Sequence, residues 1–137
     1  MNFKIGDKLL IDGKEFIVVE LSSNVTENKG VLIQFDEEIE KQVAIFRHDG
    51  KLYCLANICP HRHQPSIYRG YVNEGCVTCP EHYWTFRLDT GENVNQKQGL
   101  KKLKTYEVIE KNGVILVNID YFETPKWKDY KEIDGRT

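Results

Sequence analysis

The sequence predicts an all-β domain. Short runs of alternating apolar and polar residues recur along the chain, most are closed by a glycine-containing turn, and no long stretch has the apolar period of an amphipathic helix. Lys8–Ile11 and Glu15–Leu21 read as strands around the turn Asp12-Gly13. The polar stretch Ser22–Lys29 reads as a loop, Gly30–Phe35 as the next strand, and the acidic Asp36–Glu40 as a solvated connection. Gln42–His48 and Lys51–Asn57 flank Asp49-Gly50, the strongest hairpin signal in the chain. Ile67–Val72 and Cys76–Cys79 flank Asn73-Glu74-Gly75, and Tyr83–Leu88 is closed by Asp89-Thr90-Gly91. A short helical turn fits within Asn93–Leu103. Lys104–Glu110 and Val114–Ile119 then form a last hairpin around Lys111-Asn112-Gly113. So many short strands between turns imply a small sandwich or barrel.

At 137 residues the chain supports one hydrophobic core. We expect a single domain over 1–120, with extra N-terminal strands in 1–40, and a tail over 121–137. The tail carries Phe122, Trp127 and Tyr130, which suit packing along the body or docking of a partner. A net charge of -2 with mixed signs argues against non-specific nucleic-acid binding. No apolar run approaches the roughly 20 residues of a membrane span, and the N-terminus lacks the apolar stretch of a signal peptide. The expectation is a soluble, cytoplasmic monomer with no membrane association. Four cysteines do not make a disulfide scaffold, and Cys54 and Cys76 read as small buried side chains.

Chemistry concentrates in two short segments. Cys59-Pro60-His61 is followed, after seventeen residues, by Cys79-Pro80-Glu81-His82. Each segment follows a strand and offers one thiolate and one imidazole, so both can project from one end of a sheet. Each proline stiffens the turn just after the cysteine. Cys59, His61, Cys79 and His82 therefore form a four-ligand metal set. Two cysteines on one iron and two histidines on the other suit a [2Fe–2S] cluster. Zinc is the rival, since Cys76-Val-Thr-Cys79 is a C-x-x-C and zinc accepts mixed cysteine and histidine sets. Against it, residues three apart on a strand point to opposite faces.

From Val43 to Ile119 the chain resembles a Rieske-type [2Fe–2S] ferredoxin domain of the low-potential, oxygenase-ferredoxin kind. The resemblance rests on Asp49-Gly50-Lys51-Leu52-Tyr53, both ligand segments, Gly70, Phe86 and Thr90-Gly91-Glu92, closing with Leu103, Tyr106, Val108 and the Val114–Val117 strand. It implies a base β-sandwich with a small cluster-binding subdomain, over 54–90, formed by two loops at one end. It further implies that Cys59 and Cys79 hold the buried iron, and His61 and His82 the outer one. High-potential relatives carry an extra cysteine in each loop, joined as a disulfide; Gln64 and Glu81 stand at those places here. Their hydroxyl-bearing positions correspond to Trp84 and Phe86, which offer none, so the resemblance implies a potential of roughly -150 to 0 mV, low in the Rieske span. Thr85 or Tyr83 could restore a bond.

This resemblance implies a one-electron carrier passing electrons from a reductase to an oxygenase or other oxidoreductase. Alternatives are a small Rieske subunit of a larger complex, as in nitrite reductases, and a redox sensor. Arg62, His63 and Tyr83 would form the contact rim, although His63 also reads simply as a solvated loop side chain. The basic run Lys97–Lys104 could steer an acidic partner or be a solvated loop. A catalytic oxygenase subunit is disfavoured, because no set of two histidines and a carboxylate remains for a mononuclear iron; His48 is the only histidine outside the cluster region.

Overall fold

The computed structural model describes residues 3–35, 41–60, 64–81, 83–99 and 101–118. Among them lie eleven strands and three short 3-10 turns, and no α-helix. The acidic connection and the C-terminal tail expected from sequence lie outside the described residues.

Three antiparallel sheets build the domain. The first contains β1 (Lys8–Ile11), β2 (Lys14–Leu21), β10 (Val108–Lys111) and β11 (Val114–Asn118), in the order β1-β2-β11-β10. The second contains β3 (Val31–Gln34), β4 (Gln42–His48), β5 (Lys51–Ala56) and β9 (Thr105–Tyr106), in the order β3-β4-β5-β9. The third is smaller: β6 (Tyr71–Asn73), β7 (Cys76–Thr78) and β8 (Thr85–Arg87), in that order. The hairpin turns follow the sequence signals. Asp12-Gly13, Asp49-Gly50, Glu74-Gly75 and Asn112-Gly113 all take positive φ at both residues, as the twist of a two-residue hairpin requires.

The sheets stack in layers, and side-chain alternation assigns each core to a layer. Val43 and Ile45 of β4 pack with Ile115 and Val117 of β11, which places the first two sheets face to face. The alternate residues of β4, Ala44 and Phe46, point the other way and pack with Val77, Cys79 and Phe86 of the third sheet and its loop. The alternate residues of β11, Val114 and Leu116, pack with Phe16 and Val18 on the remaining face of the first sheet. β4 and β11 are thus buried on both faces, which is why they read as continuous apolar runs.

Three elements differ from the sequence expectation. The strand expected over Tyr83–Leu88 is only Thr85–Arg87, because the Tyr83 N–H turns back onto the Cys79 carbonyl. Ile67–Val72 is not one strand: Ile67–Arg69 is a 3-10 turn, and the strand starts at Tyr71. The amides of Ile67 and Tyr68 donate to the main chain and side chain of Asn57, and that long-range pair of bonds bends the segment. Lys104–Glu110 is split into β9 and β10, which belong to different sheets.

Candidate metal centre

The first loop leaves β5 at Asn57, whose side chain is completely buried and bonded at both its nitrogen and its oxygen. Its amide group donates to Gln42 Oε1 at 2.8 Å, and its Oδ1 accepts the Tyr68 N–H at 2.8 Å. Asn57 thereby ties the start of the loop to β4 and to the 3-10 turn beyond it. The Cys59 N–H donates to the Gln64 carbonyl at 2.8 Å, closing the loop around the intervening residues.

The second loop is closed more tightly. The Cys79 N–H donates to the Trp84 carbonyl at 2.7 Å, and the Tyr83 N–H donates back to the Cys79 carbonyl at 2.8 Å. The turn puts Tyr83 at φ 63°, a left-handed conformation that costs a bulky residue roughly 1 kcal/mol or more. The residue is 70% exposed.

Of the four sequence-assigned ligands, Cys59 and Cys79 are described, and both are 0% exposed within one apolar cluster. His61 and His82 lie outside the described residues, as do Arg62 and His63 of the expected contact rim. No disulfide joins any of the four cysteines. Cys54 belongs to a different core layer, between the two base sheets, where burial pushes its thiol far up and keeps it protonated. Cys76 is only partly buried, not fully as expected. It pairs across the sheet with Arg87, on the face opposite buried Val77 and Phe86. Burial raises the Cys76 thiol pKa and the nearby Arg87 guanidinium counters it. Cys76 and Cys79 therefore do not converge, as strand geometry predicts.

Sequence reasoning missed two residues. Asn57 reads as the last residue of a strand, and only the fold shows it holding the first loop. Ser66 is also 0% exposed, with its Oγ 3.3 Å from Cys79 Sγ. Of the two hydroxyls considered from sequence, that of Thr85 pairs instead with the Thr78 hydroxyl at 2.8 Å, and Tyr83 is largely exposed.

Glu27, His48 and Asp49 also gather closely enough to suggest a cation site. The imidazole is already committed. Its Nε2 accepts the Gly75 N–H at 3.1 Å, so its Nδ1 carries the proton and donates to Asn28 Oδ1 at 2.7 Å. Glu27 in turn accepts the amides of Asp49 and Gly50. This group is a tie between two hairpin turns.

A family model described as the Rieske [2Fe-2S] domain matches residues 15–107. The chain belongs to the Rieske [2Fe–2S] domain family. The group of this Rieske domain is therefore a [2Fe–2S] cluster, which sets zinc aside. The residues present fit it: two buried cysteines outside any disulfide, on two closed loops, in one apolar cluster with a hydroxyl against one sulfur. Among similar proteins, cholesterol 7-desaturase of Hemicentrotus pulcherrimus is 32% identical over 94 residues, covering 62% of this chain and 20% of that protein. The ferredoxin subunit of methanesulfonate monooxygenase from Methylosulfonomonas methylovora is 27% identical over 93 residues, covering 68% of this chain and 74% of the subunit. The Sphingomonas yanoikuyae B1 ferredoxin shares the fold with a TM-score of 0.63 at 21% identity, covering 74% of this chain and 96% of that one. The chain thus spans only a fifth of the desaturase and about three quarters of the ferredoxin subunit. Among the described residues no helix is long and apolar enough to cross a membrane.

Proposed function

We propose that this Rieske domain is a one-electron carrier, with Cys59 and Cys79 holding one iron of the cluster and His61 and His82 the other. The observation that carries the reading is the burial of Cys59 and Cys79 in one apolar cluster, each on a loop closed by main-chain hydrogen bonds. When bound, the cluster takes up and releases single electrons. The protein's part is to keep the ligands still. One-electron transfer is favoured when little moves between redox states, and ligands at the ends of packed strands satisfy that condition. Tyr83, exposed at the tip of the second loop, belongs to the surface a redox partner would meet. The partner classes are a reductase on one side and a terminal oxygenase or other oxidoreductase on the other, as the ferredoxin subunit among the relatives suggests.

A second reading, a Rieske part of a larger oxidoreductase, is favoured by the strongly exposed Leu10 on edge strand β1 and Ile5 just before it. A stable monomer that shuttles electrons between separate proteins would decide against it.

The test is EPR on protein purified without air and reduced with dithionite. We expect a rhombic S = 1/2 signal whose average g value lies below that of all-cysteine clusters. Cys59→Ser, Cys79→Ser and His82→Ala should abolish it, and Cys76→Ser should not. A Cys76→Ser protein without a cluster would overturn the ligand assignment.

A further inference from the structure

We infer that the Ser66 hydroxyl donates a hydrogen bond to the Cys79 sulfur and holds the cluster's reduction potential above the value the two loops would otherwise set. The inference rests on the proposed role of Cys79 as an iron ligand. A ligating thiolate carries no proton, so in the contact at 3.3 Å between Ser66 Oγ and Cys79 Sγ the hydroxyl must be the donor. The other acceptor within its reach, the Gln64 carbonyl, lies at 3.5 Å, the limit of a useful bond.

The surroundings make this bond consequential. Ser66 is fully buried beside an apolar cluster made of Ile67, Val77, Phe86 and Leu103, among others. A buried hydroxyl without a good partner is destabilising, and a donor to a charged sulfur in that medium is stronger than in water. The donor is also fixed in place. The Ser66 N–H donates to the Gln64 carbonyl at 2.8 Å, and the two following amides donate to Asn57. The first loop and its anchor thus present a proton to the cysteine of the second loop.

Reduction adds one negative charge to the cluster and its thiolates. A hydrogen bond to sulfur stabilises that state more than the oxidised one, so its loss lowers the potential. Ser66 thereby supplies what Trp84 and Phe86 do not.

An EPR-monitored redox titration of cluster-loaded protein tests this. In Ser66→Ala we expect the reduced-to-oxidised ratio at a fixed potential to fall about tenfold, about 59 mV for a one-electron couple. Ser66→Thr, which keeps the hydroxyl, should hold the wild-type value. A Ser66→Ala protein with an intact Rieske spectrum and an unchanged midpoint would overturn the inference while leaving the ligand reading standing. A Cys79→Ser protein that keeps the wild-type spectrum would instead show that the ligand reading has failed, and the inference with it. Should Ser66→Ala fail to take up the cluster, Ser66→Gly and the wild type in D2O are read in its place. A lowered midpoint in the glycine variant, or Fe–S stretching frequencies that shift on deuteration in the wild type and Ser66→Thr alike, supports the bond; the absence of both overturns it.

Discussion

The base of this domain is held by long strand ladders, and the cluster end by a short three-stranded ladder with single bonds between its loops. In the base, β4 and β5 pair over six residues and β2 runs for eight. At the cluster end each strand has three residues, and the two loops are fixed by a few amides, Asn57 and Ser66. A ladder distributes its stability over many equivalent bonds. A loop held by unique contacts concentrates it, so the cluster end should depend on each contact and on the metal to a degree the base does not.

The largest test of that contrast is removal of the cluster. Chelation under reducing conditions should speed amide exchange across 59–99 by orders of magnitude and leave β4 and β11 protected. Uniform loss of protection would show that the two ends are one cooperative unit. Next is a paired truncation. Phe86→Ala at the cluster end and Ile115→Ala between the base sheets remove side chains that are both 0% exposed. The first should cost about 3–5 kcal/mol and the second about 2–5 kcal/mol. Only Phe86→Ala should lower cluster occupancy at temperatures where circular dichroism still reports a folded base.

Gly91 tests the seam between the ends. It sits at φ 78°, its carbonyl accepts the Leu103 N–H at 2.8 Å, and a Cβ there would lie 1.9 Å from the Leu103 carbonyl oxygen. Gly91→Ala should therefore cost about 2–3 kcal/mol by denaturant unfolding. A neutral result would mean that the segment carrying Leu103 is free to move.

The smallest effect belongs to the base surface, where Arg47 Nη2 meets Glu110 Oε2 at 2.9 Å. The Arg47 guanidinium holds the Glu110 carboxyl below its ordinary value of 4.5. A depressed folded value means that the contribution is complete above about pH 4.5 and is lost as pH falls through the lower one. The pair is partly solvated and screened, so Glu110→Gln should cost only about 0.5 kcal/mol at pH 7. That difference from the wild type should shrink as the pH is taken down from 4.5 through the lowered folded value in urea melts.

The features legible in the sequence are the local ones. Each X-Gly turn marked a hairpin because positive φ at consecutive residues is a demand few residues meet. The matched C-x-H and C-x-x-H segments read as the proposed ligand set because ligand chemistry tolerates few residue types, and of that set the structure describes Cys59 and Cys79, buried in one cluster. What stayed hidden depends on contacts across the fold. The bend at Ile67–Arg69 exists because Asn57 captures two amides, and nothing in Ile67-Tyr68-Arg69 announces that. Ser66 reads as a loop serine until the two loops come together. Glu107 breaks an apparent strand because its flanks join different sheets.

One bond at the base of the cluster end carries a further consequence. The Ala56 N–H donates to the Lys104 carbonyl at 2.8 Å, so the chain departs into the cluster end and returns from it at adjacent points of the second sheet. Residues 57–103 therefore have the geometry of an insertion, a segment that could be exchanged for another of similar span. Simple excision would fail for a different reason. The same segment roofs Ala44, Phe46 and Leu55, and a short turn in its place would lay that apolar face bare to water. The sandwich can accept a different guest, but it cannot stand without one.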